Sequence, residues 1–126
     1  MKRLPDSELE LMMIIWDGCR PMTRPEIEER LPADRQLSAT TILSFLSRLE
    51  EKGFLKRSRE GKTNVYEALI PRETYLQEES RSIWKRLYQN SIGNFMAALG
   101  GGEELSDQDL DELQDFLDRE RKERNR

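Results

Sequence analysis

The hydrophobic period of this chain changes at Gly53. Before it, apolar residues recur at the three-and-four spacing of helices, and after it they alternate as in strands. Ile42, Phe45, Leu46 and Leu49 stand at i, i+3, i+4 and i+7, one buried stripe of a helix that Ser38 opens as N-cap and Gly53 closes. Phe54–Ser58 and Asn64–Leu69 then read as two strands around a turn at Arg59–Thr63. Two helices come earlier. Ser7-x-x-Glu10 predicts a capping box ahead of Leu11, Met12, Ile14, Ile15 and Trp16, and Asp17-Gly18 with Pro21 ends that helix. Thr23-x-x-Glu26 predicts a second box, with Pro25 tolerated in the first turn of a short helix that ends near Leu31-Pro32.

Three helices followed by a hairpin predict a mainly α fold with a small β-hairpin wing: a winged helix-turn-helix over residues 1–70. Pro71 marks a boundary, and residues 71–126 carry no strand signal. A helix from 72 to about 89 presents Tyr75, Leu76, Ile83, Trp84, Leu87 and Tyr88, and a shorter one from Ser91 to Leu99 presents Ile92, Phe95, Met96 and Leu99. Gly100-Gly101-Gly102 interrupts the chain, and Ser106 caps a last helix with Leu110, Leu113, Phe116 and Leu117 on one face. Its aspartates sit near the positive N-terminal end and its Lys and Arg near the other, as the helix dipole favours. The charged end, Asp118–Arg126, is expected to fray. These stripes have little else in the chain to pack on. They predict a helical dimerisation domain over 71–126, with Tyr75, Ile83, Trp84, Leu87, Tyr88, Ile92, Phe95, Met96, Leu99, Leu110, Leu113, Phe116 and Leu117 in the interface.

With 126 residues, the chain has room for one compact core or a small domain with an appendage. It has no histidine and one cysteine, which excludes a His-based catalytic centre, an ordinary zinc site and an intramolecular disulfide. The carboxylates and lysines lie in mixed-sign patterns on helix faces, so no enzyme, no cofactor and no metal are expected. Cys19 beside a turn has no resolving partner, and its role stays open; Trp16 and Trp84 read as core or interface anchors. The longest apolar run, Leu11–Trp16, is too short to span a bilayer, and the first residues lead straight into an amphipathic pattern. A cytoplasmic protein without membrane insertion is expected.

Taken alone, the net charge of −4 argues against a nucleic-acid partner, but all of that excess lies in residues 71–126. Between Arg48 and Lys62 the cations Arg48, Lys52, Lys56, Arg57, Arg59 and Lys62 outnumber Glu50, Glu51 and Glu60. A capped helix with a small polar face beside a basic hairpin predicts double-stranded DNA as partner. Thr40, Thr41, Leu43, Ser44 and Ser47 are the candidates for base contacts, and Ser38, Arg48, Lys56, Arg57, Arg59 and Lys62 those for phosphates. Glu50, Glu51 and Glu60 work against binding, so a homodimer is part of the expectation. The alternative is a winged-helix module for protein contacts, with Leu43 as an exposed apolar contact and the acidic tail as a docking surface.

Several segments together resemble the penicillinase-repressor family, the BlaI/MecI group of bacterial regulators. They are Leu11-Met12-Met13-Ile14-Ile15-Trp16, Ile27-Glu28-Glu29, Thr41-Ile42, Arg48 through Phe54, Val65-Tyr66, Leu105-Ser106-Asp107 and Leu110-Asp111-Glu112-Leu113. The resemblance implies a homodimeric repressor on a palindromic operator, controlling β-lactam resistance or related genes. It also implies release by a protease linked to a membrane sensor that cuts an Asn-Phe bond in the dimerisation region. This chain departs at two places. Thr40 and Leu43 stand where the resistance repressors carry Lys and Arg, so the operator sequence is expected to differ. An ungapped match anchored at Leu105-Ser106 puts the scissile bond at Ala98-Leu99, while the chain's Asn94-Phe95 lies one helical turn earlier. The cysteine cluster of copper-responsive relatives is absent.

Overall fold

A computed structural model describes residues 3–100 and 105–126; Gly101 and Gly102 of the glycine triplet lie outside the described residues. The element order is α1 (Asp6–Gly18), α2 (Arg24–Glu29), a 3-10 turn (Ala33–Arg35), α3 (Ala39–Glu51), β1 (Leu55–Glu60), β2 (Thr63–Ala68), α4 (Arg72–Tyr88), α5 (Ile92–Gly100) and α6 (Asp107–Arg124). The chain divides into two compact units, Met1–Ser80 and Arg81–Arg126.

In the first unit, Leu11, Met12, Ile15 and Trp16 of α1, Ile27 of α2 and Ile42, Leu46 and Leu49 of α3 form the core with Met22, Phe54, Leu55 and Tyr66. Of the expected α3 stripe only Phe45 is partly exposed, because it lies at the margin of the buried face. The hairpin is antiparallel, with Leu55 opposite Ala68 and Glu60 opposite Thr63. Met22 exchanges two backbone hydrogen bonds with Tyr66, of 2.9 and 2.8 Å, so the loop after α1 adds a one-residue bridge to the wing.

The predicted caps divide instructively. Thr23 and Glu26 form the reciprocal capping box at α2, and Ser38 accepts the Thr41 N–H at 3.2 Å to cap α3. α3 ends in a Schellman arrangement: Phe54 N–H bonds to Leu49 O at 2.9 Å and Gly53 N–H to Glu50 O at 3.0 Å. Gly53 takes φ +82°, the left-handed conformation this ending requires. The box at Ser7-x-x-Glu10 does not form. Pro5 is the N-cap, Leu9 N–H already bonds to Pro5 O at 2.9 Å, and Ser7 lies inside the first turn. Proline at this point pre-sets the backbone for helix entry, while Asp6 and Glu8 complement the positive helix end. The turn is also tighter than the predicted Arg59–Thr63: only Gly61-Lys62 lie between paired residues, with Gly61 at φ +64°.

Tyr75, expected at the dimer face, belongs instead to the core of the first unit at 3% exposure. Its hydroxyl accepts the Leu4 N–H at 3.1 Å, and its ring packs against Trp16 and Phe54 at centroid distances of 5.8 and 5.7 Å. Trp16 Nε1–H donates to Ile70 O at 2.9 Å, a second tie between α1 and the approach to α4. The first unit therefore continues past Pro71 into α4.

In the second unit α4 ends where Gln89 and Asn90 both adopt left-handed backbone, and Ser91 Oγ accepts the Asn94 N–H at the start of α5. Gly100 does not break α5; it is that helix's last residue. Ser106 caps α6 through a box with Asp109, and α6 stays helical to Arg124 rather than fraying at Asp118. Arg121, Lys122 and Arg124 in its last turn complement the negative helix end. No residue described in this unit is buried.

Candidate nucleic-acid interface

α3 is held from behind by three sets of contacts. Its buried stripe packs on α1 and α2. Lys52, its C-cap, reaches 2.6 Å to Glu8, which is only 3% exposed, so an ion pair of 44 residues' separation joins the end of α3 to the start of α1. Each charge also faces the helix end whose dipole attracts it. α2, which abuts α3, is fixed at its N-terminus by Glu26. The hydrogen bond from Arg20, helped by the Thr23 N–H, holds that carboxyl down at about 2, far below the usual carboxylate range.

Behind this anchorage the opposite face of α3 is left to solvent. Thr40, Ser44 and Ser47 are exposed, and Leu43 is 43% exposed. Thr41 is turned aside: it is half-buried, and its hydroxyl accepts from Ser38 Oγ at 2.9 Å as part of the cap. Exposed Arg48 lies with its guanidinium 5.6 Å from the centroid of the Phe45 ring, a cation–π contact that steadies it at the edge of the face. At 100° per residue the centre of this face also includes exposed Glu51, which charge patterning along the sequence places only among the opposing carboxylates.

The candidate phosphate contacts do not form one cluster. Along a strand successive side chains alternate, so Lys56 and the pair Arg57 and Arg59 lie on opposite faces of β1. Arg57 pairs with Glu50 at 3.5 Å, and Lys52 is occupied by Glu8. Among the described residues Arg48, Lys56, Arg59 and Lys62 have no carboxylate within 4 Å. Arg59 near the hairpin tip and Lys62 in its turn are exposed, and Ser38 stands at the N-terminal end of α3. The locally basic window is thus smaller in three dimensions than in sequence. No local signal revealed the Lys52 and Arg57 pairings, whereas a helical projection alone could have placed Glu51.

The residues expected in a dimer interface lie, Tyr75 apart, in the second unit. Trp84 is 40% exposed and Leu87 and Ile92 are each 62% exposed, with Leu99, Leu110, Phe116 and Leu117 also open. Ile83, Tyr88, Phe95, Met96 and Leu113 are half-buried, and the Tyr88 and Phe95 rings meet edge to face at 5.1 Å. Asn94 is exposed in the first turn of α5, and Ala98 and Leu99 in its last. Cys19 caps α1 in left-handed backbone with its thiol donating to Trp16 O at 3.4 Å. Among the described residues no group of His, Cys, Asp or Glu could hold a metal, and no helix is long and apolar enough to cross a membrane.

Residues 4–119 match the family described as penicillinase repressor. The chain belongs to that family. It is similar to the penicillinase repressor of Bacillus licheniformis, 32% identical over 121 residues that cover 94% of each chain. It is also similar to the methicillin resistance regulatory protein MecI of Staphylococcus aureus (strain N315), 25% identical over 116 residues, 92% of this chain and 94% of the relative. Among solved structures, the Bacillus licheniformis BlaI monomer in complex with the blaP half-operator is 32% identical with a TM-score of 0.50, over 59% of this chain and 89% of that one. The DNA-binding domain of the repressor BlaI is 33% identical with a TM-score of 0.50, over 60% and 94%. Penicillinase repressors are transcriptional repressors, not enzymes, and the winged-helix fold of the first unit is theirs.

Proposed function

We propose that this chain is a dimeric, cytoplasmic transcriptional repressor that binds a palindromic operator. The exposed polar face of α3, flanked by cations that have no carboxylate within 4 Å among the described residues, is the observation that carries the reading. In it, α3 enters the major groove, where Thr40, Leu43, Ser44 and Ser47 meet base edges. Leu43 contacts a thymine methyl group, which its exposure at 43% suits. Arg48, Lys56, Arg59 and Lys62 neutralise phosphates, with Ser38 and Thr41 at the start of α3 and Arg57 beside them at reduced strength, since Arg57 shares its charge with Glu50. Residues 1–80 bind DNA and residues 81–126 dimerise; the likeness to the BlaI half-operator complex over 59% of the chain supports this division.

Derepression follows from cleavage within the second unit, which separates α6 from the rest of the chain, by a protease linked to a membrane sensor, with β-lactam resistance or related genes as targets. Separated binding units lose their effective concentration for each other, which costs ~100-fold or more in avidity. The favoured bond is Ala98–Leu99, where the ungapped family match places it, with Asn94–Phe95 one helical turn earlier as the alternative.

The test is a titration of the full chain against a labelled fragment from upstream of its own gene and against random DNA, each at two salt concentrations. Preference for the upstream fragment and a steep loss with salt are expected. Equal binding of both, or none, would overturn the repressor reading in favour of a protein-contact module.

A further inference from the structure

Resting on the DNA-binding reading above, we infer that Glu51 is a specificity-determining residue that selects cytosine at one position of each half-site. Measured at 100° per residue from Ser47, Thr40 stands at about 20°, Glu51 at about 40° and Ser44 at about 60°, so the carboxylate shares the middle of the exposed face. It lies about 6 Å along the axis beyond Ser47, and helical side chains lean toward the N-terminus, which brings it back over the turn that carries Ser47.

Its neighbours in sequence behave differently. Glu50 is turned to Arg57, and Lys52 to Glu8. Glu51 is exposed, and among the described residues no cation comes within 4 Å of it. A surface charge with no cation within 4 Å among the described residues, on the face of α3 that the rest of the unit leaves bare, acts on whatever occupies that face.

The chemistry of the occupant narrows the outcome. An ionised carboxylate only accepts hydrogen bonds. In the major groove guanine offers N7 and O6 and thymine O4, all acceptors, so both repel it. Adenine offers the N6 amino group, but its N7 acceptor stands beside it and opposes the second carboxylate oxygen. Cytosine offers its N4 amino group with no acceptor on its own major-groove edge, the acceptors of its pair lying on the guanine. Glu51 therefore penalises three bases and accepts the fourth, a discrimination of roughly tenfold for a single contact of this kind. The neutral hydroxyls of Thr40, Ser44 and Ser47 donate and accept alike and discriminate less.

The experiment is selection of bound duplexes from a random pool by the full chain, alongside Glu51→Gln and Glu51→Ala. Exposure of residue 51 makes both variants compatible with the fold, which circular dichroism verifies. We expect a cytosine position in the wild-type site that becomes adenine with Glu51→Gln, whose amide pairs with N6 and N7, and that loses its preference with Glu51→Ala while other positions persist. If all three proteins select the same site and the variants only bind more tightly, Glu51 merely repels phosphates and the inference is wrong. If the wild type selects no site at all, the DNA-binding reading fails first and takes this one with it.

Discussion

Cutting the chain after Leu69 places the end where the hydrophobic pattern changes, yet it removes Ile70 and Tyr75 from the first unit. The Tyr75 ring fills the space between Trp16 and Phe54, and losing a buried aromatic costs about 3–5 kcal/mol. Two donors lose their acceptors as well: Leu4 N–H, bonded to the Tyr75 hydroxyl, and Trp16 Nε1–H, bonded to Ile70 O. Each adds about 1–3 kcal/mol where water does not replace the acceptor. A domain of this size holds only about 5–10 kcal/mol in all, so a 1–69 fragment is expected to be largely unfolded or to melt at least about 15 °C below a 1–80 fragment. Tyr75→Phe within 1–80 keeps the ring and leaves only the Leu4 donor unpaired, a cost of about 1–2 kcal/mol. Thermal and urea unfolding of the three fragments, followed by circular dichroism, decides the matter. A 1–69 fragment as stable as 1–80 would refute the assignment of Tyr75 to the core.

Other consequences follow from the same contacts. Lys52→Met leaves Glu8 buried without its partner, and urea unfolding should register a loss of about 3 kcal/mol at neutral pH; no change would mean the ion pair is not formed. Glu26 is held at about 2 against an unfolded value near 4.5, so its contribution is complete above pH 4.5 and fades as pH falls toward 2. The melting difference between wild type and Glu26→Gln should therefore shrink over that window, and a difference constant down to pH 2 would contradict it. Replacing Arg59 or Lys62 by Ala should flatten the slope of log K against log salt by about 0.9 each on operator DNA, while an unchanged slope would remove that residue from the interface. Sedimentation should find a concentration-dependent dimer that Leu113→Glu or Phe116→Glu weakens and that 1–80 does not form; a dimeric 1–80 would overturn the division of labour.

Local features were legible in the sequence. The Thr23 box, the Ser38 cap and the Gly53 ending each depend on residues within one turn of each other, and each forms as expected. The Ser7 box failed although its spacing was right, because Pro5 had already started the helix two residues earlier. Periodicity identified Tyr75 as apolar but carries no information about which surface it meets, and proximity in sequence to Trp84 suggested the wrong one. Charge patterning suffered likewise: Lys52 finds Glu8 across 44 residues and Arg57 finds Glu50 across a helix end, so two of six apparent cations are already engaged. The open apolar residues of the second unit match the stripes read from sequence, since spacing along a helix fixes which side chains share a face whether or not a partner covers it.

In the repressor reading, DNA meets the exposed face of α3 and the tip of the hairpin. Backbone amide spectra of the full chain, recorded during titration with its upstream duplex, test this contact residue by residue. Saturable shifts should concentrate at Ser38–Glu51 and Arg59–Lys62, with the amides of α6 undisturbed. Shifts confined to other surfaces, or none that saturate, would contradict it.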